Sequence, residues 1–408
     1  MKVAARRDRR HLRIWNGDVL SPASVKGRTR QGEEVVNLPA TMRAAVLYDP
    51  EEPLVIEDVA VPVSGDEDVL VRVRSCGIVP NLSNVLRQFA KIAPGLGMPL
   101  PPSPAIFGLD PAGEVVRVGA HVKNVKVGDR VYVNPARSCG TCRHCVDGDL
   151  VSCQYYTFNG YFGFSEKSLE IYQRYPSGGL AEYMNAPSYS VIPIPDNLTF
   201  DQAARFGYVG TAYSALRRTG VGPGSSVLIT GASGTLGLGG VISALALGAG
   251  RILAVARDRE LLRDVKAIAP TRIEVMSVLD GSIKDWAKDL TAGEGVDVAV
   301  DCLPHGAPVE QFLEAYRAVR RGGSMVNAGG ITEAIPVFLH ELMTRNVSLV
   351  GSLWFTPRET REMAALAESG LLDMSVFETQ ACPLADVNAG LEKMTVRHGG
   401  FSNFVVNP

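Results

Sequence analysis

Between Met42 and about Pro187, apolar and polar positions alternate over short runs that break at Gly or Pro. Val69 to Arg74, Gly113 to Gly119 and Gly128 to Val133 are successive examples, and Met42 to Tyr48 reads as a natural first strand. Such spacing predicts a small β-barrel. Beyond Thr211 the rhythm lengthens: an apolar strand from Ser226 to Thr230, a helix after Gly234, a strand from Ile252 to Val255 and a helix from Asp258. Further strands are expected at Val296 to Asp301 and Ser324 to Asn327, with Pro308 opening the helix between them. Strand, helix, strand in this order predicts a doubly wound parallel sheet, so the fold class is α/β.

Residues 1–41 follow neither rhythm. Lys2, Arg6, Arg7, Arg9, Arg10 and Arg13 crowd the start without apolar periodicity behind them. A dispensable extension is the reading taken, with a targeting segment or partner-binding arm left open. Asp8 and Asp18 argue against a transit peptide, since such segments are poor in acids.

Composition narrows the classes. With 408 residues the chain suggests two domains; 46% hydrophobic residues, 21% charged residues and a formal net charge of -2 describe a soluble globular protein with no call for a nucleic-acid partner. The longest apolar runs break before they could span a bilayer, so no membrane partner and a cytoplasmic location are expected.

Four of the seven cysteines, Cys139, Cys142, Cys145 and Cys153, are spaced C-x2-C-x2-C-x7-C. A loop returning four sulfurs to one point suits structural Zn2+, closed and tetrahedral, with every cysteine bound as thiolate. A disulfide pair is the competing reading. Cys76, Cys302 and Cys382 are left over, and core packing is expected of them.

After the strand ending at Thr230 comes Gly231-Ala232-Ser233-Gly234-Thr235-Leu236-Gly237. Glycines let backbone approach a pyrophosphate, and the following helix offers free N–H groups and the positive end of its dipole. At the end of the next strand, where NAD-binding sites place an acid for the ribose hydroxyls, the chain reads Ala256-Arg257-Asp258. Arg257 offers a guanidinium to a 2'-phosphate, which favours NADP over NAD. A solvated Arg257 and a ribose-binding Asp258 remain the alternatives.

The Cys139 to Cys153 lobe, the segment Gly108-Leu109-Asp110-Pro111-Ala112-Gly113-Glu114, and the glycine turn with its upstream Gly210-Thr211-Ala212-Tyr213 together resemble a medium-chain dehydrogenase/reductase of the zinc-type alcohol dehydrogenase superfamily. The resemblance runs from Met42 to the C-terminus. It implies a GroES-like β-barrel catalytic domain over residues 42–208 and 352–408, with the zinc lobe at 137–154, interrupted by a Rossmann nucleotide-binding domain over 209–351. It implies Thr211, Gly231, Ser233, Gly234, Thr235, Leu236, Gly237, Arg257, Cys302 and Gly329 as cofactor contacts. A homodimer or homotetramer is implied too, with Val347 to Leu353 as the strand that extends the sheet between subunits.

Zinc-dependent members hold a catalytic zinc at three positions that here fall on Val79, Leu109-Asp110 and Tyr208. Val and Leu cannot bind metal, so a three-ligand open site is not expected. What remains resembles the quinone oxidoreductase and enoyl reductase branch, although Val79 replaces its Asn and the zinc lobe is unusual there. Reduction of an activated C=C bond by NADPH is the leading expectation, with Tyr208 as proton donor and Asn81 orienting the substrate oxygen. A zinc-independent alcohol dehydrogenase or imine reductase is the second reading, and a nucleotide-binding protein without catalysis the third. Eight Tyr and Phe residues between Tyr155 and Tyr175 form an aromatic-rich insertion that would wall an apolar or aromatic small-molecule substrate, serve as a satellite core, or contact a subunit.

Overall fold

The computed structural model describes residues 38–80, 82, 85, 98–394 and 396–408. The basic run at the start of the chain and Asn81 lie outside the described residues.

The first half builds the expected short antiparallel strands. Their ranges are β1 Thr41–Leu47, β2 Val55–Ala60, β3 Asp68–Gly77, β4 Ala105–Ile106, β5 Asp110–Val118, β6 Arg130–Val133, β7 Ala136–Arg137, β8 Thr157–Phe158, β9 Tyr183–Pro187 and β10 Val191–Pro193. Strand β3 is central: it pairs with β5 on one edge and with β9 and the C-terminal strand on the other. Both of its faces are buried, so Val69, Leu70, Val71 and Cys76 read as a nearly continuous apolar run rather than a strict alternation.

The second half is a six-stranded parallel sheet: β11 Ser226–Thr230, β12 Arg251–Ala256, β13 Ile273–Ser277, β14 Val296–Asp301, β15 Val319–Asn327 and β16 Ser348–Gly351. Its spatial order is β13-β12-β11-β14-β15-β16. The order reverses beside β11, where a crevice opens outside the carboxyl ends of the strands. Strand β13 was not anticipated in the sequence, where Glu274 interrupts its apolar run; the outermost strand of that half needs only one face buried. The chain then returns to the first sheet through β17 Glu378–Pro383 and β18 Ser402–Asn407.

Helix Phe206–Arg218 packs on helix Thr235–Ala246, and glycine sets how close they come. A Cβ at Gly239 would lie 3.1 Å from both Tyr208 O and Val209 Cα. Helix Thr235–Ala246 also begins at the glycine turn, so the backbone carrying Tyr208 is held directly against the backbone that frames the crevice.

Candidate active site and metal lobe

The four cysteines of the lobe converge. Their sulfurs all lie within 4.8 Å of one another, with Cys142–Cys145 at 3.5 Å, Cys153–Cys139 at 3.6 Å and Cys139–Cys145 at 3.9 Å. Four sulfurs around a zinc at about 2.3 Å would stand roughly 3.8 Å apart, so the set fits Zn2+. Backbone N–H groups of Cys142, Cys139 and Tyr155 point at Sγ of Cys139, Cys153 and Cys153 respectively, at 3.4 to 3.5 Å. Such donors favour the thiolate form that a metal requires. This is the one His, Cys, Asp and Glu cluster of metal-binding geometry among the described residues.

The crevice end of β11 carries the glycine turn. Gly231 has φ of +63°, and a side chain at Gly237 would collide with Gly231 O at 2.1 Å, so the turn folds this tightly only with glycine at these points. Gly234 is the N-cap of helix Thr235–Ala246 and has no capping side chain. Thr235 Oγ1, in the first helical turn, is buried without a partner. An orphaned hydroxyl and uncapped N–H groups beside an open glycine edge fit a dinucleotide pyrophosphate. Ser233 and Leu236 belong to the same turn, and Cys302 O lies 2.9 Å from where a Gly231 Cβ would stand. A Cβ at Gly329 would meet Asp301 Oδ2 at 2.6 Å. Thr211 spends its hydroxyl on Gly207 O within its own helix, at 2.8 Å.

At the next strand end, Ala256 is buried and Arg257 exposed. Asp258 caps helix Arg259–Ile268, accepting from the N–H groups of Glu260 and Leu261 at 2.8 and 3.1 Å. Its carboxylate is therefore engaged in the helix start, and Arg257 is left free to face an anionic group.

The three positions at which the resemblance would place catalytic-zinc ligands carry other chemistry. Val79 and Leu109 are buried carbon side chains at 3% and 5% exposure. Asp110 accepts a hydrogen bond from Tyr132 Oη at 2.7 Å and another from the Gly207 N–H. Burial pushes its carboxyl up to about 7, against the lowering pull of Tyr132, Arg205 and Gly207. The Cys76 thiol is raised far out of its usual range by burial and by Asp110. Tyr208 stands one residue beyond Gly207; burial and Asp110 raise its phenol to about 12 while Arg205 pulls the other way.

Sequence reasoning passed over three features here. Arg205 is 4% exposed, donates to the carbonyls of Gly400 and Ser402 at 2.9 and 3.2 Å, and lies over the Tyr208 ring at 5.8 Å. Asp301 accepts from Thr230 Oγ1 at 2.8 Å directly below the turn, and burial raises its carboxyl to about 6. The loop 397–401 packs against the backbone of Ser233 and Gly234, with Gly400 N donating to Ser233 O at 2.8 Å. Only the Gly399-Gly400 pair hinted at that close approach.

Most of the aromatic insertion is a satellite core. Phe158 packs on Tyr156, Phe164 and Trp354 with centroids 4.5 to 5.6 Å apart, and Tyr172 and Tyr175 use their hydroxyls on Thr157 and Asp68.

Residues 65–196 match the alcohol dehydrogenase GroES-like domain, and residues 235–369 match the zinc-binding dehydrogenase domain. An alcohol dehydrogenase of Geobacillus stearothermophilus is 31% identical over 355 residues, covering 86% of this chain and 96% of that protein. The crystal structure of AibC superimposes with a TM-score of 0.77 at 27% identity, over 93% of this chain and 99% of that one. A zinc-binding dehydrogenase of Sinorhizobium meliloti bound to NADP, 22% identical, shares the fold with a TM-score of 0.74 over 91% of this chain and 100% of its own. The chain belongs to the zinc-type alcohol dehydrogenase family of medium-chain dehydrogenases/reductases, and is an NAD(P)-dependent oxidoreductase whose four-cysteine lobe fits structural zinc.

Proposed function

We propose that the protein is an NADP(H)-dependent reductase of activated C=C bonds, of the enone or quinone type, that works without a catalytic zinc. The observation carrying this is the donor set at the three ligand positions: two buried hydrocarbons, an aspartate engaged by Tyr132 and Gly207, and a phenol. These residues do not fit a catalytic Zn2+, which needs three ligands and an open position.

Without a Lewis acid, direct carbonyl reduction must stabilise a localised alkoxide, whereas addition to a conjugated C=C spreads the charge over an enolate. When bound, NADPH would supply the hydride that the β carbon of the substrate accepts. The C=C π pair moves to the enolate, Tyr208 holds the enolate oxygen, and a proton reaching the α carbon from solvent completes the saturated carbonyl. The glycine turn Gly231 to Gly237 would seat the pyrophosphate, with Thr211, Cys302 and Gly329 around it. Arg257 would pair with the 2'-phosphate, which supports NADP over NAD.

The substrate is a small molecule, apolar or aromatic. We place the catalytic part at 42–208 and 352–408 and the nucleotide-binding part at 209–351; helix Phe206–Arg218 runs through the first of these divisions. Strand β16 is a sheet edge with Leu349 exposed, and Phe338, Leu339 and Met343 nearby in sequence are exposed as well; this apolar run supports a homodimer or homotetramer. No helix among the described residues is long and apolar enough to cross a membrane, and a cytoplasmic site of action is the reading we favour.

The Geobacillus relative's activity favours a second reading, zinc-independent alcohol oxidation. Purified protein is assayed with NADPH against enones and quinones, and with NADP+ against secondary alcohols. Faster turnover of the conjugated substrates, lowered about 10²-fold in Tyr208→Phe with little change in KM, supports the first reading. Turnover of alcohols alone overturns it.

A further inference from the structure

Arg205 carries a charge that is buried without a counter-charge. It is 4% exposed and its partners are carbonyls: Nη2 donates to Gly400 O at 2.9 Å and to Ser402 O at 3.2 Å, while Nε has no partner. It makes no ion pair with any described residue. Burial lowers its pKa to about 10, so the guanidinium is still charged at neutral pH. Taking a cation out of water without a counter-ion is costly, and the cost falls when negative charge arises beside it.

The fold fixes where that charge stands. Arg205 is the residue before helix Phe206–Arg218, and Tyr208 follows three positions later, the spacing that puts two side chains on one face. The guanidinium carbon lies over the Tyr208 ring at 5.8 Å and over the Phe377 ring at 5.0 Å. Gly207, between Arg205 and Tyr208, is closed against Asp110, since a Cβ there would meet both carboxylate oxygens at 2.3 Å. That carboxyl accepts from Tyr132 Oη and the Gly207 N–H rather than from the guanidinium. On its other side Arg205 is one residue away from the glycine turn: Gly400 takes the guanidinium on its carbonyl and gives its N–H to Ser233 O at 2.8 Å. Burial raises the Tyr208 phenol to about 12, and Arg205 is the foremost group pulling it back.

We propose that Arg205 is a positioning residue of the reaction, a fixed positive charge that stabilises the negative charge shared by the Tyr208 phenol when it holds the oxygen of the reduced substrate. The inference rests on the reading of Tyr208 as the active-site phenol. It does not require the substrate to be conjugated, because that oxygen gains charge in C=C and in C=O reduction alike. In a corner closed to water a unit charge at this distance acts far more strongly than in solution. Its help needs no rearrangement at the moment of reaction, since the carbonyls of Gly400 and Ser402 and the Phe377 ring hold the guanidinium in place beforehand.

The test compares wild type, Arg205→Gln, Arg205→Lys, Tyr208→Phe and the double variant Arg205→Gln/Tyr208→Phe, using NADPH with whichever enone, quinone or ketone the wild type reduces fastest. Expected for Arg205→Gln is a fall in kcat of about 10- to 10²-fold with KM for NADPH and substrate little changed. Arg205→Lys, which keeps the charge, should recover most of the rate. With the phenol already gone, removing the charge should cost nothing more, so the double variant should match Tyr208→Phe. An unchanged kcat in Arg205→Gln beside a slow Tyr208→Phe overturns the proposal alone. Equal losses in the Gln and Lys variants with a raised KM for NADPH overturn it too, and assign Arg205 to holding the loop 397–401. Wild-type turnover in Tyr208→Phe overturns the reading of Tyr208 and the proposal with it. Should Arg205→Gln not fold, Arg205→Met, which replaces the buried charge by an apolar chain, goes through the same comparison and the same outcomes decide.

Discussion

Tyr132 donates its phenolic proton to Asp110 Oδ1 at 2.7 Å, with both residues buried and Phe206 packed on the Tyr132 ring at 5.4 Å. The carboxyl is thereby tied to the barrel through β6 and to the start of helix Phe206–Arg218 through Gly207 N–H.

Asp110 makes stability fall with pH in a defined window. Its folded value of about 7 lies above the unfolded carboxylate value of roughly 4, so between these the unfolded chain gives up a proton that the folded chain keeps. Asp110→Asn lacks this penalty. The melting temperature of wild type relative to the variant should therefore decline from pH 5 to pH 8. A difference that stays constant over that range would sink the assignment.

Arg257→Ala should weaken NADPH binding by about 1.5 to 3 kcal/mol, the worth of a charge-assisted contact to phosphate, and leave NADH nearly untouched. Isothermal titration with both cofactors decides it. Equal losses would return Arg257 to the solvated surface.

The cysteine lobe should hold about one zinc per chain by elemental analysis. In Cys142→Ser that zinc should be lost and the melting temperature lowered, because the metal supplies folding energy to a loop with little apolar core of its own. Unchanged melting would count against a structural metal.

His398 joins two parts of the chain, with Nε2 3.1 Å from Asp264 and Nδ1 3.0 Å from Glu378. Hydrogen bonds to Glu378 and then Asp264 raise its pKa. The resulting stabilisation is complete below the unfolded value of about 6.5 and lost as pH rises through the higher folded value. Its size is modest, since the ring is 39% exposed and screened. Wild type should exceed His398→Gln in melting temperature at pH 5.5 and converge with it by pH 9. A gap independent of pH would show that the ring acts by packing on Phe401 instead.

The local signals lay in the sequence in full. Four cysteines at short spacing and a glycine turn between an apolar strand and a helix are statements about residue type and separation. Periodicity likewise gave strands β1, β3, β5, β6, β11, β12, β14 and β15, since a strand buried on one or both faces must show it residue by residue. What the sequence left open was every relationship made across the chain. Tyr132 meets Asp110 over 22 residues, Arg205 meets Gly400 over 195, and His398 meets Asp264 over 134. Short motifs and the resemblance they carry determined the family and offered a glycine turn suited to a cofactor; only the tertiary structure decided which buried polar groups share a desolvated corner, because that depends on distances the chain acquires by packing.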